Sequence, residues 1–388
     1  MVIKKTYLLI IVLLCLSVKL FSAEAWIRIN QLGYLPQSVK RAVFLAKEPA
    51  DVSFFALHHA LTDEIVFQSE NPAAKGKFHT FCSTYVLDFS AYDKPGVYYL
   101  KAGNAISPPV IINRNVYDGT ADYALNYMRQ QRCGYNPSLD MTCHQHDGYE
   151  VYGDDPQKHK FVDVRGGWHD ASDYLQYGTT SSNAVFQMLF AYQQNPNAFD
   201  DQFEADGKAG ANGVPDILDE AKWGLDWLLK MYPEKEILYH QIADDRDHAS
   251  FRLPAEDKVD YGWGPGTGRP VYRATGKPQG LFLNKNRSTG IASIAGKYAA
   301  AFAMGSDLLK PYYPEYVTTL QQKAEDVFAY GVANPGVCQT APGKSPYFYE
   351  EDNWTDDMQL AASVLYHTTN NNRYVQEAAR YGRMEPVT

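Results

Sequence analysis

Between Trp26 and about Asn113, apolar and polar residues alternate in short runs. Ile27-Arg28-Ile29-Asn30, Arg41-Ala42-Val43-Phe44-Leu45, Val52-Ser53-Phe54-Phe55, Tyr85-Val86-Leu87-Asp88-Phe89 and Gly96-Val97-Tyr98-Tyr99-Leu100 read as strands. Gly33, Pro36, Pro49, Pro72 and the Lys94-Pro95-Gly96 turn punctuate them. Several short strands at this spacing predict an all-β sandwich. After Asn113 the period lengthens to that of helices. Tyr117, Ala121, Ala124, Leu125 and Met128 share one face, with Asp118 placed to cap the start. Further helices are predicted over about 183–193, from Asn212-Gly213-Val214-Pro215 through Ile217, Ala221, Leu225 and Leu228, over about 288–309, 314–332 and 355–366, and from near Asn372. Pro215 suits a first helical turn. The Gly/Tyr/Trp-rich stretch 234–286 reads as a loop, and loops of that length are uncommon unless they are functional. The expected organisation is a leader over 1–25, a β-sandwich over 26–113 and a helical domain over 114–388.

The leader rests on Lys4 and Lys5, an apolar run from Leu8 to Leu16, and the small-x-small site Ala23-Glu24-Ala25. That run is shorter than the roughly 20 residues of a membrane-spanning helix, so it reads as a secretory signal peptide. Its cleavage leaves no integral membrane segment and makes the protein secreted or periplasmic. A lipid anchor would fall on Cys15, and the bulky Leu14 before it argues against one. The remaining Cys82, Cys133, Cys143 and Cys338 are too few for a disulfide framework in so long a chain. Net charge is −9, which argues against nucleic acid and for a neutral substrate. Aromatic residues make up 14%, with 29 Tyr, and such rings stack on flat uncharged ligands as well as filling cores.

The most informative segment is Val164-Arg165-Gly166-Gly167-Trp168-His169-Asp170-Ala171-Ser172-Asp173-Tyr174. Two carboxylates three residues apart in a turn, between small neighbours, can aim at one water and take its proton. The structural alternative is a capping turn, with Asp173 on the helix that follows and Asp170 on backbone amides. In the same way, Cys133 and Cys143 read either as a disulfide or, with His144 and His169, as a tetrahedral zinc shell. His146 is a possible further ligand. Trp168, Tyr261, Trp263 and Trp354 are candidates for stacking on a flat, uncharged ligand, Trp263 because Tyr-Gly-Trp-Gly-Pro-Gly is too Gly-rich for a core.

Gly-Gly-Trp-His-Asp-Ala-Ser-Asp-Tyr closely resembles the signature of glycoside hydrolase family 9, with Ser172 where Gly is commoner. Residues 27–34 resemble the opening strand of the immunoglobulin-like domain that precedes many family 9 cellulases. Residues 212–223 and 352–361 resemble two helices of the family's (α/α)6 barrel. The resemblance implies an Ig-like β-sandwich followed by an (α/α)6 barrel, incomplete here because about seven helices are read where the family has about twelve. It implies inverting cleavage of β-1,4-glucosidic bonds in cellulose or a related β-glucan, endoglucanase-like, with Asp173 as general base and Asp170 holding the water. The family's acid, a Glu on a late helix, is then expected beyond Thr388; Glu350 and Glu351 read as a solvated acidic run. The alternatives are an exo-acting β-glucosidase or glucosaminidase, or an inactive glycan-binding remnant. The resemblance also makes Cys133, Cys143, His144 and His169 a structural zinc site. It raises calcium as a second cofactor, for which Asp216, Asp219 and Glu220 are hard donors that also read as helix N-terminal charge.

Overall fold

The computed structural model describes residues 24–155 and 159–386. All of the predicted leader except Glu24 and Ala25, Cys15 included, lies outside them. The chain divides into two compact units between Asp118 and Gly119.

The first unit is a sandwich of antiparallel strands. They are β1 (Ala25–Arg28), β2 (Arg41–Ala46), β3 (Phe55–His59), β4 (Ile65–Ser69), β5 (Ala73–Phe78), β6 (Phe81–Asp88), β7 (Gly96–Ala102), β8 (Ala105–Ile106) and β9 (Val110–Ile112). One sheet runs β1-β2-β6-β5 and the other β4-β3-β7-β8, with β9 also on β7. The inward residues of both sheets, among them Phe44, Phe55, Leu57, Leu87, Leu100 and Ile112, form one core. Burying each stabilises the fold by roughly 1.5–3 kcal/mol. The strand expected over 52–55 begins only at Phe55 and continues through His58 and His59. Their polarity hides it, yet His58 stacks on Tyr99 at 5.1 Å across the sheet. Edge strand β5 is exposed at every position and leaves no alternation to read.

The second unit is built on seven helices: α1 (Thr120–Gln130), α2 (Gly178–Gln194), α3 (Asp216–Met231), α4 (Ala292–Leu308), α5 (Tyr316–Ala333), α6 (Thr355–Thr369) and α7 (Asn372–Met384). Helix α4 is buried almost throughout and packs on α2, α5 and α6. Gly296 permits this: a Cβ there would stand 2.7 Å from the Asp357 carbonyl carbon on α6. Two expectations are corrected. Gly119, with φ 72°, precedes α1 and no side chain caps it, so Asp118 does not. Helix α2 starts five residues earlier than its apolar period indicates, because its first turns are Thr and Ser; Ser182 Oγ donates to the Gly178 carbonyl.

The stretch 234–286 is not structureless. It holds β14 (Tyr239–Ile242) and β15 (Pro270–Arg273), which join β12 (Tyr149–Val151) and β13 (Gln176–Tyr177) in a sheet ordered β12-β15-β14-β13. A small hairpin pairs β10 (Tyr135–Asn136) with β11 (Met141–Thr142). Tyr239-His240-Gln241-Ile242 is buried at all four positions, so its strand has no polar face to announce it. Among the described residues no helix is long and apolar enough to cross a membrane.

Candidate active site and metal centre

The Gly-Gly turn can form only with glycine. Gly166 and Gly167 have φ 121° and 70°, and a Cβ on Gly167 would stand 2.6 Å from Trp227 Cδ2. The turn is stitched to α3 by Trp227 Nε1, which donates to the Val164 carbonyl (3.0 Å), and by Trp223 Nε1 to the Gly167 carbonyl (2.9 Å). It is stitched to the segment after α1 by Cys133 N donating to Gly167 O (2.9 Å) and His169 N to Gln131 O (2.8 Å). Asp170 N then donates to Leu175 O (2.9 Å), closing the loop that carries both aspartates.

Each carboxylate is oriented by side chains from other elements. Asp170 Oδ1 accepts from Thr180 Oγ1 on α2 (2.7 Å), and Oδ2 accepts from the Tyr349 hydroxyl. Asp173 Oδ2 lies 3.0 Å from His248 Nε2, whose Nδ1 is 3.2 Å from the Tyr347 hydroxyl. Asp173 Oδ1 accepts from Leu175 N (3.3 Å), but α2 begins only at Gly178, so Asp173 does not cap it. The Tyr177 and Tyr349 phenols are both raised, first by burial, and both feel Asp170 and Asp173; the two rings meet edge to face at 5.0 Å. Asp170 borders a recess with Trp168, His169 and Thr180, whereas Asp173 borders the wall beside His248. A pocket of about 400 Å3 opens there, lined by Ser172, Asp173, Asp247, His248, Ala249, Ser250 and Phe251. Phe251 presents an almost fully exposed ring, and Tyr347 is also exposed. Asp247 is buried and pins this wall by accepting from Tyr174 N (2.6 Å) and pairing with Arg252.

The four expected metal ligands come together. Their donor atoms all lie within 4.8 Å of one another, and neither cysteine is in a disulfide. Cys133 Sγ is 3.6 Å from His144 Nδ1, Cys143 Sγ 3.8 Å from His169 Nε2, and the two imidazole nitrogens are 3.4 Å apart. The outer nitrogen of His144, Nε2, is 3.0 Å from Asp257 Oδ2, and Arg252 Nε holds that carboxylate at 2.7 Å. Gly134 N and Arg269 Nη2 donate to the sulfurs of Cys143 and Cys133 at 3.4 and 3.5 Å. His146 is not part of the group.

Other expected residues are placed differently. Trp168 is 3% exposed, with its ring on Gly224 and its Nε1 donating to Glu220 Oε1 (2.8 Å), so it is a core residue with no free face for a sugar. Tyr261 is buried beneath Arg246. Trp263 is half-buried against Tyr149 (4.8 Å) and His159, and Trp354 packs edge-on to Tyr381 (5.7 Å). The calcium candidates have partners within the protein: Glu220 takes Arg132 at 2.7 Å, Asp216 accepts from Phe203 N (2.9 Å) on Oδ1 while its buried Oδ2, 3.4 Å from Arg129, makes no hydrogen bond, and Asp219 accepts from Asn212 Nδ2 and the Tyr313 hydroxyl. Nor are both acidic residues of the 350–351 run solvated: Glu350 is exposed and pairs with Arg287, whereas Glu351 turns inward to Lys297. Sequence reading missed Thr180, His248, Tyr349 and Asp257, which lie 10 to 179 residues from the aspartates or ligand they touch, and Tyr347 and Asp247, which brace His248 and the Tyr174 backbone. The Asp244-Asp245-Arg246-Asp247-His248 run, dense in charge within the supposed loop, was the available signal.

The chain thus combines a sandwich unit with a helical unit whose 166–173 turn carries paired aspartates and contributes His169 to a Cys/His cluster. The sequence profile of glycosyl hydrolase family 9 matches residues 117–387, and that of the cellulase N-terminal ig-like domain matches residues 22–107. The chain belongs to glycosyl hydrolase family 9, and its seven described α-helices correspond to part of the family's (α/α)6-barrel fold. It is similar to a cellodextrinase of Butyrivibrio fibrisolvens, 28% identical over 367 residues, covering 90% of this chain and 60% of the relative. It is similar to endoglucanase C of Cellulomonas fimi, 28% identical over 382 residues, covering 90% of this chain and 32% of that protein. Among solved structures, a metagenome-derived family 9 endoglucanase superposes with TM-score 0.68 at 28% identity, covering 94% of this chain and 65% of that one. The chain thus spans at most about two thirds of the length of these proteins.

Proposed function

We propose that the protein hydrolyses β-1,4-glucosidic bonds of cellulose or a related β-glucan, with inversion at the anomeric carbon. The observation that carries this is the division of labour in the 170–173 turn. Asp170 has both oxygens held by hydroxyl donors and is fixed as a rigid acceptor for water. Asp173 stands at the pocket wall with His248 on one oxygen, and is the general base. Water bound by Asp170 gives its proton to Asp173 as its oxygen attacks the anomeric carbon and the bond to the leaving sugar breaks. The exposed rings of Phe251 and Tyr347 offer apolar faces for the sugar beside it. Inversion also needs a general acid about 6.5–9.5 Å from the base. The pairing of Glu350 with Arg287 and of Glu351 with Lys297 argues against either, and the acid is assigned to none of the described residues. The names of the relatives, a cellodextrinase and an endoglucanase, support the β-glucan class. The Lys-flanked apolar run and Ala23-Glu24-Ala25 support secretion or periplasmic export.

The metal is zinc, with a structural role. Tetrahedral zinc at its usual bond lengths needs N···N of ~3.3 Å and N···S of ~3.5 Å; the His144–His169 pair (3.4 Å) and the Cys133–His144 pair (3.6 Å) are close to these, and Cys143–His169 is longer at 3.8 Å. Four protein ligands leave no open position, so the ion would brace the fold and supply no reactive water. His169 would tie it directly to Asp170, and Asp257 would set the tautomer of His144.

Proton NMR of the first product released from a cellooligosaccharide by the full-length protein tests the reading. The α-anomer is expected first. The β-anomer first, or no hydrolysis at all, would overturn it.

A further inference from the structure

Away from the 170–173 turn, one charged cluster is not used by the proposed chemistry. Lys297 on α4 reaches between two carboxylates: its Nζ is 2.7 Å from Glu351 Oε1 and 2.6 Å from Asp357 Oδ2 in the first turn of α6. All three side chains are less than one-fifth exposed. The close crossing at Gly296 sets the α4–α6 spacing that lets one ammonium serve both acids. Glu351 Oε1 also accepts from Thr179 Oγ1 (2.7 Å), the residue beside the Thr180 that holds Asp170. Two residues before Glu351 stands Tyr349, whose hydroxyl donates to the other oxygen of Asp170. The 347–351 loop is also anchored by Gln339 Nε2 on the Glu351 carbonyl (2.9 Å), Tyr349 N on Thr340 Oγ1 (2.8 Å), Tyr347 on His248 and Glu350 on Arg287, the last two at exposed positions.

We infer that Lys297 is a positioning residue for the hydrolytic turn: by clamping Glu351 against α2 and α6, it holds the 347–351 loop so that Tyr349 stays on Asp170. The inference rests on the proposed role of Asp170 and adds to it an element with no contact to substrate. The ammonium acts as a built-in counter-ion. Without it, Glu351 loses its ion pair and has Thr179 as its remaining side-chain partner. The loop then swings outward and Asp170 keeps Thr180 alone.

The test compares Lys297→Met and Lys297→Arg in the full-length protein, with hydrolysis of a soluble β-glucan and hydrogen exchange of residues 345–353 as readouts. Lys297→Met is expected to lower kcat about tenfold with KM within twofold and to speed exchange of that loop. Lys297→Arg, which keeps the charge, restores at least a third of kcat and most of the protection. Unchanged kcat and unchanged loop exchange in Lys297→Met would overturn the inference. So would a Lys297→Arg protein no better than Lys297→Met. An inactive wild type would sink the hydrolase reading instead. The clamp itself would then be judged on loop exchange alone, slow in wild type and Lys297→Arg and fast in Lys297→Met, with any other order refuting it.

Discussion

Asp170 is held at both oxygens by neutral hydroxyls from distant parts of the chain, Thr180 at 2.7 Å and Tyr349 opposite it. Removing either hydroxyl without changing side-chain shape isolates one bond: Tyr349→Phe and Thr180→Val. A hydrogen bond to a charged acceptor contributes about 1.5–3 kcal/mol. Asp170 is partly exposed and water replaces some of that bond, so the lower end applies, about 1.5 kcal/mol, or roughly a tenfold loss in kcat for each variant. Because the carboxylate positions water and does not grip the sugar, the loss belongs in kcat, with KM changed less than twofold. The double variant frees the carboxylate to rotate and is expected to lose about a hundredfold, the product or more. The assay is steady-state release of reducing ends from a soluble β-glucan by the full-length protein, with circular dichroism confirming the fold. Full kcat in both single variants, or a loss carried entirely by KM, would refute the claim that Asp170 works as a held water acceptor.

Other outcomes follow from the same geometry. The purified protein should carry one zinc per chain by elemental analysis; Cys143→Ser should lose most of it and melt about 10 °C lower or more, and a metal-free wild type with unchanged melting would contradict the site. Gly167→Ala places a Cβ 2.6 Å from Trp227 at φ 70°, and should lower unfolding free energy by about 2–4 kcal/mol in urea titrations; a loss below about 0.5 kcal/mol would mean that the turn is not constrained as described. Asp357 is pushed up to about 7, chiefly by burial and against the pull of Lys297. A carboxyl raised in the folded state binds its proton more tightly there, so its contribution is full below about pH 4 and is lost as pH rises through 7. Unfolding free energy of wild type relative to Asp357→Asn should therefore fall between pH 4 and 8, and parallel curves would refute the assignment.

Much of this molecule was legible in its sequence, for identifiable reasons. Period-2 alternation marked β2, β6 and β7 because each has one face in the core, and period-3.6 stripes marked α3 to α6. The β12-β15-β14-β13 sheet was not legible, since strands buried on both faces or made of His and Gln show no alternation. In the site, the residues that lie together in sequence were found together: Asp170 and Asp173 on one turn, and the four Cys/His donors close around it. Their partners were not, because contacts such as Tyr349 to Asp170 and Asp257 to His144 join residues 179 and 113 positions apart. The aromatic candidates show a different limit. Glycine-rich surroundings suggested exposed rings, but Trp263 packs on Tyr149 and Tyr261 lies beneath Arg246, whereas Phe251, in an unremarkable Ala-Ser-Phe-Arg stretch, is exposed.

The central claim is that Asp173 takes the proton from the attacking water, and Asp173→Ala in the full-length protein tests it most directly. Turnover of a soluble β-glucan should fall by about 10²–10⁴-fold while affinity for the glucan, measured by calorimetry, and zinc content stay at wild-type values. Turnover within tenfold of wild type in that folded, glucan-binding variant would contradict the account.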